Sequence, residues 1–318
     1  MKITLLSGGT GTPKLLQGLK RVIDEENISV VVNTGEDTWV GDLYLSPDID
    51  TVLYTFADLI NEETWYGVKN DTFITHETLK MYESDGFSEF LRIGDRDRAL
   101  KIHKTYFLRK GYPLSKVVDM ERKLLNIKGK VFPMTDDRVE TKILVEEDVG
   151  DREEKILLKF HDFWIKRKGR AKVLDVFYEN SQYAKGVDGA LESIEGADLV
   201  VIGPSNPITS IGPILSIRDI RKALKGKKVF VVSPIVGDSA VSGPAGVLME
   251  SKGYPVNIYG VYKFYEDLVD TLIIDNKDNL EEKKEGIECN VVTTNIILKN
   301  MEDKINLAKK ILEEYRKG

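Results

Sequence analysis

The stretch Met1-Lys2-Ile3-Thr4-Leu5-Leu6-Ser7-Gly8-Gly9-Thr10-Gly11-Thr12-Pro13-Lys14-Leu15-Leu16 decides the fold. Met1–Leu6 is a short apolar run that the following glycines and hydroxyl residues cannot continue. From Pro13 the residues Leu15, Leu16, Leu19, Val22 and Ile23 recur at helical spacing, and proline suits a first helical turn because its missing N–H is no loss there. Ile28-Ser29-Val30-Val31-Val32 is then a β-branched run of the kind found in buried parallel strands. The first 37 or so residues therefore predict a βαβ unit of dinucleotide-fold type.

Two later segments repeat the theme. Ala197–Ile202 reads as a strand entering Gly203-Pro204-Ser205-Asn206-Pro207, and Lys228–Ser233 as another entering Pro234, with helical periodicity over Ile217–Leu224 between them. Strand and helix alternating at both ends predict one Rossmann-like, mostly parallel α/β sheet assembled from 1–60 and 190–318. Residues 61–189 then form an inserted acceptor-substrate region, helical over Glu62–Gly129 and strand-rich over Lys130–Tyr178. A final amphipathic helix is expected over Asp303–Tyr315.

Composition narrows the chemistry. The 318 residues carry 46 Lys+Arg against 52 Asp+Glu, a formal charge of −6, and 42% are hydrophobic, which excludes wholesale disorder. No apolar stretch reaches the roughly 18 residues of a membrane span. The Gly-rich start does not read as a signal peptide, so a cytoplasmic protein is expected. One cysteine and three histidines leave no disulfide framework and no Cys- or His-rich metal centre. Mild acidity argues against a general nucleic-acid binder. Carboxylates, backbone amides and Lys/Arg remain.

Four groups carry candidate chemistry. The loop with Gly8, Gly9, Thr10, Gly11 and Thr12 lies between a strand and a helix and is placed to hold a phosphate or nucleotide; a plain tight turn is the alternative. Lys14 occupies the third-glycine position of the dinucleotide fingerprint and would add a point charge near phosphates. The acidic stretch Asn33–Asp50, with Glu36, Asp37, Asp42, Asp48 and Asp50, lies past a strand end, the usual setting for Mg²⁺; Asp37, Asp48 and Asp50 are the metal candidates and Asn33 a substrate contact. Because Ser46-Pro47-Asp48 also resembles a helix start, Asp48 or Asp50 as a mere cap is the competing reading. Gly203–Pro213, with Gly203, Ser205, Asn206 and Ser210, and Ser242-Gly243-Pro244-Ala245-Gly246 are rigid loops on the same predicted edge, suited to phosphate or base recognition. Arg92 opens the run Arg92-Ile93-Gly94-Asp95-Arg96-Asp97-Arg98, which ion pairing explains more often than catalysis. Trp164 in His161-Asp162-Phe163-Trp164 would stack on a planar ring or belong to the core.

These motifs, in this order through most of the chain, resemble the 2-phospho-L-lactate transferases of coenzyme F-420 biosynthesis. The resemblance implies Mg²⁺-dependent transfer from lactyl-2-diphospho-5′-guanosine to the deazaflavin Fo (7,8-didemethyl-8-hydroxy-5-deazariboflavin), giving F-420-0 and GMP; some members take an enolpyruvyl donor. It implies contact of Asp50 and Arg92 with the deazaflavin, a catalytic role for Asp48 or Asp50, and a homodimer. Three rivals stand against it: a nucleotide-sugar-binding regulator of the gluconeogenesis-factor type, an NAD(P)-dependent oxidoreductase, and a non-catalytic scaffold.

Overall fold

The computed structural model of the chain describes residues 1–84, 87–150, 152–241, 243–278 and 286–318. Seven parallel strands make the central sheet: β1 (Ile3–Ser7), β2 (Ile28–Val32), β3 (Lys130–Pro133), β4 (Leu199–Ile202), β5 (Val229–Val232), β6 (Thr271–Asp275) and β7 (Asn290–Thr294). Their order is β7-β6-β5-β4-β1-β2-β3. Ile3 pairs with Ile28 on one side and Leu199 on the other, so the strand order reverses at β1. Such a switch point leaves a crevice at the carboxyl ends of the strands.

The apolar runs of these strands follow from burial on both faces. On β1, Ile3 and Leu5 join one core cluster while Leu6 joins the other; on β4, Leu199 and Val201 split in the same way from Val200 and Ile202. One face is covered by α1 (Gly11–Leu19), α2 (Pro47–Phe56) and the C-terminal helix Met301–Lys317. Here α1 and the C-terminal helix touch closely: a Cβ on Gly18 would sit 2.0 Å from the Lys304 carbonyl oxygen. The other face is covered by short helices between 188 and 265.

Between β2 and β4 lie the helices Ile74–Lys80, Asp95–Arg109 and Leu114–Leu124, and an antiparallel sheet of Glu140–Val149, Arg152–Lys159 and Lys172–Glu179. The Rossmann-like core with an inserted helical and β region is thus as expected, with three differences. Lys130–Pro133, expected in the insertion, is the edge strand of the central sheet, because Val131 pairs with Val30 in parallel register. The sheet also gains β6 and β7, which the sequence reading did not mark. Finally, Phe90 and Leu91, expected in a helix, lie in an irregular segment over the sheet's end.

Candidate active site

The carboxyl ends of β1, β4 and β5 open into a cleft of about 620 Å³. Its floor comes from Gly9, Thr10 and Gly11 after β1, Pro204, Ser205, Asn206, Thr209 and Ser210 after β4, and Pro234 after β5; its opposite wall comes from Phe90, Leu91, Arg92, Phe160, His161, Trp164 and Ile165 of the insertion. Of the small-residue loop Ser242–Gly246, Gly243, Pro244 and Ala245 reach the cleft, and Ser242 lies outside the described residues.

Two loops lock the floor together. A Cβ on Gly11 would fall 1.8 Å from the Pro204 carbonyl oxygen, and one on Gly203 would fall 2.2 Å from Thr12 Oγ1, so only glycine permits this approach. Ser205 Oγ donates to the Gly8 carbonyl, accepts the Thr12 N–H at 3.2 Å, and lies 2.7 Å from Thr12 Oγ1. Gly8, Thr12 and Gly203 therefore shape the floor from behind, while Gly9, Thr10, Gly11, Ser205, Asn206 and Ser210 face the cleft. Asn206 caps the turn after β4, its Oδ1 accepting the Ile208 N–H at 2.9 Å.

Asp48, in the first turn of α2, is the carboxylate that joins this floor. Its Oδ1 accepts the Gly9 N–H at 2.8 Å and its Oδ2 accepts Asn33 Nδ2 at 2.9 Å. Asn33 itself is buried and also donates to the Thr209 carbonyl at 3.2 Å. It fixes Asp48 and the β4 loop without lining the cleft. Burial pushes the Asp48 carboxyl up to about 6, against those two hydrogen bonds. Beside it in the cleft is Glu36, whose proton affinity is raised well above the ordinary range by burial and then by the charges of Asp48 and Asp37.

The three metal candidates are not brought together. Asp37 faces a neighbouring cavity of about 230 Å³ and accepts Ser46 Oγ at 2.7 Å and Tyr44 OH at 3.3 Å. Asp50 is buried behind the cleft, one oxygen taken by Lys104 and the other by Lys101 at 3.1 Å. Those ammonium groups hold its carboxyl below the ordinary range despite burial, and Asp50, unlike Asp48, does not line the cleft. Among the described residues no three His, Cys, Asp or Glu side chains form a metal-binding group. Acidity past a strand end marked the right stretch, but only position on α2 separates Asp48 from Asp50.

Lys14 also departs from its expected place. Its Nζ sits 5.1 Å from the centre of the Trp65 ring and does not line the cleft, and burial followed by the charge of Lys304 lowers its proton affinity. Arg92 and Trp164 both line the cleft; the Arg92 guanidinium stacks on Phe73 at 3.7 Å, and Trp164 stands 40% exposed at the rim. Trp65 and Tyr66, which the sequence reading did not single out, line it as well.

Residues 3–309 match the protein-family model described as 2-phospho-L-lactate transferase CofD. The chain belongs to that family. The 2-phospho-L-lactate transferase of Methanocaldococcus jannaschii is 67% identical over 311 residues, covering 98% of this chain and 97% of that protein. The transferase of Methanococcus maripaludis is 63% identical over 316 residues, covering 99% of each. The transferase of Methanopyrus kandleri is 48% identical over 316 residues, covering 98% of this chain and 97% of that one. A crystal structure of a upf0052-family protein from Bacillus halodurans superposes with a TM-score of 0.66 at 18% identity over 98% of both chains, a likeness of fold. The protein is thus an enzyme of the 2-phospho-L-lactate transferase family, which sets aside the regulator, oxidoreductase and scaffold readings. No described helix of this transferase is long and apolar enough to cross a membrane.

Proposed function

We propose that this transferase moves the 2-phospho-L-lactyl group from lactyl-2-diphospho-5′-guanosine to the terminal ribityl hydroxyl of Fo, with Mg²⁺ and release of GMP. The observation that carries the reading is the placement of Asp48: a cleft carboxylate bonded to an amide of the glycine loop, where a diphosphate would meet it.

The donor set fits Mg²⁺, which takes one or two carboxylates together with substrate phosphates. Burial raises the proton affinity of both Asp48 and Glu36, and for Glu36 the neighbouring carboxylates add to it, so a cation beside them would be favoured. Asp48 would hold the ion, with Glu36 beside it; bound there, the ion supplies neutralising charge at the transferring phosphorus. The floor does the positioning. Thr10 and Gly11 at the start of α1, with the Ser210 hydroxyl, bind the diphosphate, and Ser205 keeps the two loops in register. Arg92, Trp164 and their neighbours hold the planar acceptor with its hydroxyl toward the floor. The hydroxyl oxygen forms the new P–O bond, the bond to the GMP phosphate breaks, and the proton leaves to Glu36. Transfer of this kind depends mainly on positioning and electrostatics, so no catalytic triad is required.

We also propose a homodimer, on the family resemblance alone, and light scattering measures it directly. Binding of Fo and of guanosine diphosphate to the purified protein tests the substrate assignment. Both should saturate, the nucleotide more tightly with Mg²⁺ present, and Asp48→Ala should remove that Mg²⁺ dependence. Absence of Fo binding would overturn the acceptor assignment.

A further inference from the structure

Charge in the cleft is unevenly matched to the proposed donor. Lactyl-2-diphospho-5′-guanosine carries one negative charge on each phosphate and another on its lactyl carboxylate, which is ionised at neutral pH. The cleft lining adds two acids, Glu36 and Asp48, and Arg92 is the one Lys or Arg among the described residues that lines it. The lysines nearby are spent elsewhere. Lys14 lies over the Trp65 ring, Lys159 pairs with Glu140 at 3.2 Å, and Lys166 pairs with Asp162 at 2.8 Å. The glycine-loop amides and the ion proposed at Asp48 answer the diphosphate, which leaves the carboxylate without a cation on the floor.

Arg92 is placed to supply one from the opposite wall. Its guanidinium carbon lies 3.7 Å from the centre of the Phe73 ring, so one flat face is held while the N–H edge stays open. Among the described residues that edge has no carboxylate partner. The flanking acids are committed to other groups. Glu89 is bonded to Arg98. Asp95 accepts the Ile74 and Thr75 N–H groups, and Asp71 accepts those of Arg96 and Asp97. Ile93 is buried and pins the backbone beside the stack, whereas Arg92 itself is exposed, so a ligand reaches its edge from the cleft.

We propose that Arg92 is the specificity-determining residue for the donor's outer group, its N–H edge forking the lactyl carboxylate. The inference rests on the donor assignment made above. A planar guanidinium presents parallel N–H donors that match the two oxygens of a carboxylate, which a neutral carboxamide with one oxygen does not reproduce. The guanidinium face turned away from Phe73 stays available to the acceptor ring, so one side chain serves both substrates. The ligand class read is a guanosine diphosphate ester whose outer group ends in a carboxylate, lactyl and enolpyruvyl alike. A sugar ester of the same nucleotide lacks the group.

The test measures binding of three nucleotides to the intact transferase in the presence of Mg²⁺: the donor, its analogue with the lactyl carboxylate replaced by a carboxamide, and guanosine diphosphate. The wild type should bind the donor about tenfold more tightly than the carboxamide, a comparison independent of how any variant folds. Arg92→Gln should bring those two within about twofold of each other by weakening the donor alone. A merely structural Arg92 would weaken donor and carboxamide equally and leave their ratio unchanged. Equal affinity of the two in the wild type, or the wild-type ratio persisting in Arg92→Gln, overturns the inference and leaves the donor assignment standing. Wild-type protein that binds neither the donor nor guanosine diphosphate overturns the donor assignment and the inference with it.

Discussion

Asp71 and Asp95 cap each other's helices. Asp95, at the start of helix Asp95–Arg109, accepts the Ile74 and Thr75 N–H groups at 3.1 and 2.9 Å, at the start of helix Ile74–Lys80. Asp71, just before that second helix, accepts the Arg96 and Asp97 N–H groups at 2.9 and 3.0 Å. The exchange ties Phe73 to the segment carrying Arg92, and the two side chains stack where the cleft begins. Glu89 fastens the same segment from the other side, bonded to Arg98 and 3.1 Å from His76 Nδ1.

Asp71→Ala should therefore lower stability by about 1 kcal/mol, the usual worth of an N-terminal cap. It should also weaken Fo more than guanosine diphosphate. Urea denaturation with parallel binding isotherms checks both; equal loss of the two ligands would show that the caps do not serve Arg92.

Removing Asp50 should damage the fold. Lys101 and Lys104 are both buried, with Asp97 holding Lys101 and Glu121 lying 3.6 Å from Lys104. Asp50→Ala leaves two buried ammonium groups short of a counter-charge, which costs about 3–5 kcal/mol when one partner of such a pair is lost. The double change Asp50→Leu/Lys104→Met should recover much of that. Denaturation of both variants decides: a normal melt for Asp50→Ala would contradict the structural role.

Glu121 makes stability depend on pH. Burial is the main cause that pushes its carboxyl up to about 7, against the pull of Lys104. The folded protein thus keeps a proton that the unfolded chain releases near its ordinary value of 4.5, so this group's stabilisation is full below that pH and is lost as pH rises towards 7. Asp48 has the same sign over the lower part of the window, up to about 6. Melting temperature should fall between about pH 5 and 8, and Glu121→Gln should flatten the upper part. An unchanged slope in Glu121→Gln would remove Glu121 from the account.

Ser205→Ala opens the lock between the two floor loops, since its hydroxyl serves the Gly8 carbonyl and Thr12 together. A loss of about 1–3 kcal/mol is expected from the unsatisfied buried groups, with weaker guanosine diphosphate binding and Fo affinity retained. Calorimetric titration of both ligands checks it.

The sheet was largely legible from the first 37 residues because strand and helix periods differ and the glycines break between them. Ile28–Val32 is a strand with those bounds. Lys130–Pro133 was not legible as a sheet strand: four residues beginning with Lys carry no period, and only pairing with Ser29–Val32 assigns them. The loops of the cleft were readable from glycine and hydroxyl content. Individual carboxylates were not, because Asp48 and Asp50 share a helix and differ only in the side they face, Asp50 towards lysines 51 and 54 positions away.

The most direct measurement is turnover of the wild type with Fo, lactyl-2-diphospho-5′-guanosine and Mg²⁺, followed by mass detection beside the same incubation of Asp48→Ala. The account predicts phospholactylated deazaflavin and GMP in equal amounts from the wild type, with product from Asp48→Ala lower by about a hundredfold or more. GMP released without a gain in deazaflavin mass, or undiminished product from Asp48→Ala, would contradict it.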